Sequence, residues 1–394
     1  MRFRDIIGQR ELIEKLIAAV NNGRIPHAQL FWGAEGSGQL ALATAYAQYI
    51  NCRNKVHASS GEDLGGLSSD SCGKCPSCLK FQQIAHPDLH FVYPNNADGS
   101  RIKKDSQSLD YIEQWRELML ANQGIFSLNE WTEAMNIGTR QPIINVRDCR
   151  QILQTLSLKP AEAAFRVVIV WLIEKLDVTT SSILLKTLEE PEPQTVFLLV
   201  SENPDRILPT ILSRTQMVKV PRLEPADLEA YLRQKGLGAE DARDLASRSQ
   251  GNLVEAKLLS GNNEMRKNFH ESFADWMRLC FKVDMPGLVA LSERMKDLKG
   301  EPIKLFLQSC LNEIRACLLM SNGCGAWVQG EAAEKTFWQN FSKFVTAANV
   351  RQYYDLFNDA IYQISRNADI SSLFTDLSIR LCRILAMAKN NASK

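Results

Sequence analysis

Long apolar runs are missing from this 394-residue chain, and so is any surplus of charge. No stretch is long and apolar enough to cross a bilayer as a helix, which excludes a helical membrane span. The first residues, Met1-Arg2-Phe3-Arg4-Asp5, lead into an amphipathic helix and lack the apolar core of a signal peptide. A formal net charge of +1 gives no bulk electrostatic reason to bind nucleic acid or membrane, while a local basic surface stays open. Repeats and low-complexity tracts are absent. With no export signal, the ten cysteines read as thiols, one metal-type cluster apart, and the expected location is the cytoplasm.

Two residues are missing from the stretch around which the chain is organised. Gly33-Ala34-Glu35-Gly36-Ser37-Gly38-Gln39-Leu40 has the outline of a phosphate-binding loop, Gly-x-x-x-x-Gly-Lys-Ser/Thr. Gln39 stands where lysine would reach the β- and γ-phosphates, and Leu40 where a hydroxyl would hold magnesium. The frame is intact: Ala28 to Trp32 reads as a buried strand running in, and Leu40 to Ile50 as an alanine-rich helix running out.

What is present is enough chain for two or three domains. Ile6 to Val20 has apolar residues at helical spacing and ends at Asn21-Asn22-Gly23. His27, in the connector that follows, has no partner nearby in sequence and reads as structural. Arg53 to Ser71 is polar and rich in serine and glycine, the composition of a mobile loop. Next comes Cys72-Gly73-Lys74-Cys75-Pro76-Ser77-Cys78, with Cys52 upstream. Four thiolates so spaced are a ligand set for tetrahedral zinc, and a closed four-thiolate site folds a module rather than catalysing. An iron–sulfur cluster and plain buried thiols are the alternatives, and His86 or His90 could replace Cys52 as a ligand.

Leu89 to Pro94 reads as a second strand, Asn95 to Lys104 as a polar loop, and Leu109–Leu120 and Leu128–Met135 as helices whose Trp115 and Trp131 read as packing onto the domain, with stacking on bases as the alternative. Phe165 to Val170 is β-branched without alternation, so it is expected to be a central strand covered on both faces. It ends Trp171-Leu172, where a working P-loop ATPase carries acids. Glu174 and Asp177 read as solvated acids at a helix start. A helix from Ser181 to Glu190 stops at Pro191. Thr195 to Val200 is another buried strand, whose polar tip lies at the edge where such sheets bind ligands. Gln216 to Val220 closes the first domain. From Pro221 onward every segment reads helical, and Cys280, Cys310, Cys317 and Cys382 fall on apolar faces as core hydrophobes.

In order, Ile6-Ile7-Gly8-Gln9, Pro26-His27-Ala28, the Gly33 loop, the four cysteines, His86-Pro87-Asp88, Leu184-Leu185-Lys186-Thr187-Leu188-Glu189-Glu190-Pro191 and Leu208-Pro209-Thr210-Ile211-Leu212-Ser213-Arg214-Thr215 resemble the bacterial DNA polymerase III clamp-loader subunits. These are AAA+ proteins with a zinc module and a C-terminal collar. The likeness is dense from about Phe3 to Val220. It implies an α/β AAA+ domain over 1–220, with a zinc module at about 52–78 and an insertion at about 95–141. A helical lid over 221–261 and an all-α collar over 262–394 would follow.

The resemblance also implies what is lost and what is kept. The motor subunits' lysine, hydroxyl and Asp-Glu pair correspond here to Gln39, Leu40, Trp171 and Leu172. The lid arginine corresponds to Val254, in Gly251-Asn252-Leu253-Val254. Ser213-Arg214-Thr215 is similar to the family's Ser-Arg-Cys, whose arginine acts on a neighbour's nucleotide. The expectation is a subunit that does not hydrolyse ATP but serves motor subunits, a delta-type subunit, the sliding clamp and primer–template DNA. The competing readings are a divergent ATPase, using the loop's glycine amides, and a zinc-dependent nucleic-acid module, which the neutral charge disfavours.

Overall fold

The computed structural model describes residues 1–95, 107–137, 142–156, 159–176, 178–260, 263–296, 301–328, 330, 332–364, 366 and 368–392. Asp177, the boundary residues 261 and 262, and residues 96–106 and 138–141 of the expected insertion lie outside these. The chain forms two compact units. One comprises Met1–Ala242 and Ser249–Val254, the other Arg243–Arg248 and Glu255–Lys394.

The first unit is built on five strands: β1 (Ala28–Trp32), β4 (Leu89–Val92), β5 (Arg166–Trp171), β6 (Thr195–Ser201) and β7 (Gln216–Lys219). All pair in parallel, in the order β4-β5-β6-β1-β7. Residues of β5 alternate between the faces: Val167, Ile169 and Trp171 enter one core, Val168 and Val170 the other. Both faces are covered, which is why the sequence shows no polar alternation there.

On the first face lie α1 (Arg10–Asn21), α2 (Gln39–Ile50), α3 (Pro76–Gln82), α4 (Ile112–Ala121) and α5 (Leu128–Met135). Every residue of α2 is buried. On the second face lie α6 (Val146–Leu156), α7 (Val178–Glu189) and α8 (Pro209–Leu212). Helix α9 (Pro225–Gln234) follows in the same unit.

The segment expected as a mobile loop, Arg53 to Ser71, is ordered. It carries an antiparallel hairpin, β2 (Val56–His57) with β3 (Ser69–Asp70). Its anchor is Asp70, fully buried, which accepts hydrogen bonds from the backbone N–H groups of Phe3 and Arg4 at 3.1 and 3.2 Å and pairs with Arg4 Nε at 2.9 Å. A polar composition concealed a buried, fully used carboxylate.

Helices α10 (Ala239–Arg248) and α11 (Leu253–Ser260) run across the division between the units. The rest of the second unit is helical: α12 (Asn263–Lys282), α13 (Met285–Met295), α14 (Glu301–Ser321), α15 (Ala332–Phe341), α16 (Val350–Ile364) and α17 (Ile370–Ala392). Its core includes Trp276, Phe306, Cys310, Cys317, Phe357 and Phe374, so the cysteines do pack as small hydrophobes.

Candidate functional site

The glycine loop leaves β1 at the carboxyl edge of the sheet and enters α2 through Gly38, whose φ of +88° suits glycine. Gln39 does not extend outward as a lysine would. Its Nε2 donates to the carbonyls of Gly33 and Ala34 at 2.5 and 2.7 Å, folding the side chain back onto its own loop. Leu40 is buried in the core.

Two other segments close on the loop. The turn expected at the lid arginine docks here: Leu253 N–H donates to Gly36 O at 3.2 Å, and Asn252 Oδ1 caps Val254 N–H at 3.0 Å. A Cβ on Gly36 would lie 1.9 Å from that Asn252 oxygen, so only glycine fits. Val254 itself is buried.

The second segment is Gly124-Ile125-Phe126, from the insertion between α4 and α5. Ile125 lies against Gly38, its Cδ1 3.4 Å from where a Cβ would sit, and Gly124 lies against Ala41. Phe126 packs on Trp171 with ring centroids 5.1 Å apart, and Trp115 lies 5.4 Å from Trp171. The space bounded by the loop, these residues, Trp171, Val200 and Glu202 is about 10 Å³. That is roughly the room of one water molecule. The aromatic residues of the insertion thus fill the ground in front of the loop. Trp115 and Trp131 are both fully buried, with Trp131 Nε1 donating to Pro94 O at 2.8 Å, so neither is a free stacking platform.

Glu174 departs from the solvated reading. It follows β5, and its Oε1 accepts from the N–H groups of Glu202 and Asn203 at 2.9 and 3.2 Å, bracing the turn after β6. Burial pushes its carboxyl above the usual range, against the pull of those hydrogen bonds. A charge pattern alone does not distinguish such a brace from a surface acid.

Cys52, Cys72, Cys75 and Cys78 converge in a buried cluster, with their sulfurs all within 4.8 Å of one another. The Cys52–Cys72 and Cys72–Cys78 separations are 3.7 and 3.9 Å. Tetrahedral zinc with Zn–S bonds of about 2.3 Å sets its sulfurs about 3.8 Å apart, so the donor set fits this metal. Backbone N–H groups of Cys72, Cys75 and Cys78 point at sulfurs at 3.3–3.5 Å, as thiolates favour. The bond from Cys78 lowers Cys52 to about 5 and raises Cys78 in turn. Several thiolates this close require a cation. The cluster could hold a metal ion, and the histidines offered as alternatives are not in it. His86 packs against Phe81 with ring centroids 4.4 Å apart, and its Nδ1 accepts from Asp88 N–H. Asp88 caps the N–H groups of Ala161, Glu162 and Ala163 at 2.7–2.8 Å. His86-Pro87-Asp88 is therefore a structural corner.

Arg214 stands two residues beyond α8, about one-third exposed. Nη2 pairs with Glu189 Oε1 at 2.6 Å, and Nη1 donates to Thr210 O and Ser213 Oγ at 2.9 and 3.1 Å. Ser213 Oγ donates in turn to Thr210 O at 3.1 Å. A guanidinium is held at the surface, well outside the loop's own pocket lining.

A parallel sheet with a glycine loop at its carboxyl edge, helices on both faces and a second, helical unit defines the AAA+ class of P-loop-type proteins. The chain belongs to the family described as DNA polymerase III, delta subunit, whose sequence model matches residues 8–224, and is thus a member of the clamp-loader AAA+ family. It is similar to DNA polymerase III subunit tau/gamma of Haemophilus influenzae, 23% identical over 375 residues, covering 90% of this chain and 46% of the relative. It is also similar to DNA polymerase III subunit delta' of Bacillus subtilis, 27% identical over 271 residues, covering 69% of this chain and 64% of the relative. The chain thus spans between about half and two thirds of these relatives' lengths. A DNA polymerase III gamma subunit-related protein of Thermotoga maritima aligns with 98% of this chain and 100% of its own, at 14% identity and a TM-score of 0.36.

Proposed function

We propose that this chain is a non-hydrolysing, delta-prime-type subunit of the replicative clamp loader. On this reading it supplies Arg214 in trans to ATP held by a neighbouring motor subunit. The observation that carries the proposal is the closed loop, with Gln39 turned back on Gly33 and Ala34, and about 10 Å³ left beneath Ile125 and Phe126. Phosphoryl transfer requires neutralisation of phosphate charge by lysine, magnesium and arginine. Glutamine supplies no charge and leucine no oxygen. An arginine offered in trans is worth about 10³–10⁵ in rate and requires no nucleotide site in its own subunit.

The partners of this reading are gamma/tau-type motor subunits and a delta-type subunit in a hetero-pentamer, the sliding clamp, and primer–template DNA held by the complex. No membrane is involved, and the place of action is the cytoplasmic replisome. The four cysteines hold a structural Zn²⁺, which folds the module of Cys52 to Cys78 and leaves no open position for chemistry.

A second reading has support in the similarity to tau/gamma, which extends over 90% of this chain. In it the chain is a divergent gamma/tau-like ATPase. Titration of the isolated chain with labelled ATP and magnesium separates the two. No saturable binding is expected, and tight magnesium-dependent binding with turnover establishes the second reading. The trans role is tested by Arg214→Ala in a reconstituted loader, where ATPase is expected to fall at least tenfold. Unchanged ATPase and clamp loading refute it.

A further inference from the structure

The second unit carries an open groove of about 410 Å³ between α12, α15 and the turn Ser342–Phe344. Its apolar wall is made by Phe281, Phe337, Phe341 and Phe344 with Met277. Phe337 and Phe341 stack with centroids 5.4 Å apart, and Phe281 meets Phe344 at 5.2 Å. Phe281, at the mouth, is 38% exposed. Lys343 also borders a second cavity of about 260 Å³, with Ile384 and exposed Met387 in its wall. Lys343 is the residue the two cavities share.

The charged residues that line the groove itself have one sign. Arg278, Lys282 and Lys343 line the groove, and among the described residues no carboxylate does. Arg278 is paired with Asp275 at 2.7 Å. Lys343 Nζ sits over the Phe344 ring at 5.2 Å, and Lys389 Nζ over the Phe281 ring at 4.8 Å. In a protein of net charge +1, a cation-rimmed aromatic groove is a local departure from the average.

We infer that this groove is the docking site of an acidic peptide segment of a partner protein, with an aromatic or aliphatic side chain set between the phenylalanines and flanking carboxylates on Lys282 and Lys343. The volume lies in the range of side-chain and small-ligand pockets. An apolar centre with a charged rim is the usual anatomy of a peptide interface. A single nucleic-acid strand matches the rim charge as well but the rings less well. Base stacking requires open ring faces, and those of Phe281 and Phe344 each have a lysine over them. The inference does not depend on whether the chain binds ATP or offers Arg214 to a neighbour.

The test uses the full chain and a fluorescein-labelled dodecapeptide of aspartates with one Phe and one Leu three residues apart. Its control is the same peptide with lysine for aspartate. Fluorescence anisotropy is expected to show saturable binding of the acidic peptide that weakens with salt. Lys282→Glu with Lys343→Glu is expected to weaken it by roughly tenfold or more and to reverse the preference toward the lysine peptide. Phe281→Ser, also at an exposed position, is expected to weaken the acidic peptide without altering the thermal melt. Absence of acidic-peptide binding, equal binding of both peptides, or indifference to the charge reversal each overturns the inference. So does displacement of the peptide by a single-stranded oligonucleotide at equal concentration, or its loss in step with self-association of the chain.

Discussion

Arg214 Nη2 lies 2.6 Å from Glu189 Oε1, so the end of α7 holds a residue just beyond α8. Two stretches of sequence that carried the family resemblance therefore meet at one surface ion pair. Both side chains are partly exposed, at 36% and 48%. Exposed pairs contribute about 0–1 kcal/mol. Glu189→Gln and Arg214→Ala are each expected to shift urea stability by less than about 1 kcal/mol. A larger loss would mean that Arg214 is structural, and a fall in loader ATPase could then not be assigned to chemistry.

The closed loop predicts that restoring the motif's letters does not restore its chemistry. Gln39→Lys with Leu40→Thr supplies the missing amine and hydroxyl but leaves Ile125 and Phe126 in front of the loop. Calorimetry is expected to show no gain in magnesium-ATP affinity. Micromolar binding by this double variant would show that the insertion yields readily.

Phe126 is the better lever on the insertion. It is buried and touches Trp115 and Trp171 at 5.6 and 5.1 Å. Phe126→Ala is expected to cost about 3–5 kcal/mol in denaturant unfolding, because the surrounding rings cannot collapse into the space. Tryptophan emission is expected to shift in the folded state. A cost under about 1 kcal/mol would contradict the packing described.

Metal analysis of the purified chain is expected to give one zinc ion per chain, lost on Cys78→Ser with a lower melting temperature. Structural zinc sites in peptides bind with apparent energies of about 10–16 kcal/mol, so chelation is expected to unfold the Cys52–Cys78 module. Hairpin β2–β3 and Asp70 lie within it, so amide protection of Phe3 and Arg4 is expected to fall as well. A metal-free, fully stable chain would assign the cluster as buried thiols.

His270 gives a pH dependence in the second unit. Its Nδ1 is 3.0 Å from Glu313 Oε1, while Glu313 Oε2 accepts from Trp338 Nε1 at 2.5 Å. Burial lowers the imidazole pKa, but the bond and charge of Glu313 outweigh it, and the net shift is upward from 6.5. The charged form is therefore bound more tightly in the folded state. This stabilisation is full below about pH 6.5 and is lost as pH rises through the folded value. Wild-type stability is expected to decline across that window, and His270→Gln to flatten the decline. An unchanged slope would remove His270 as its source.

Features encoded locally were legible in the sequence. The apolar runs of β1, β5 and β6, the glycine loop and the cysteine spacing each state their structure within a few residues. The loop's fate was not legible, because Ile125 and Phe126 reach it from within a long insertion, between α4 and α5. Their apolar character announces burial without naming a target. Glu174 and Asp70 were obscure for the opposite reason. A carboxylate in a polar stretch reads as solvated, and only the fold reveals that backbone N–H groups converge on it. Gln39 was recognisable as a missing lysine, but its hydrogen bonds to Gly33 and Ala34 follow from loop geometry, which composition does not carry.

The placement of β1 between β6 and β7 has a consequence for synthesis. The strand is complete at Trp32, but its neighbours in the sheet begin at Thr195 and Gln216. A ribosome adding about 5–20 residues per second takes on the order of ten to thirty seconds to deliver the first of them. Throughout that interval Leu30 and Phe31 have no pairing strand. Phe31 shares its face of the sheet with α2, which is made soon after it, but Leu30 faces the side covered by α6, α7 and α8, so it stays open to solvent or a chaperone until those helices are made.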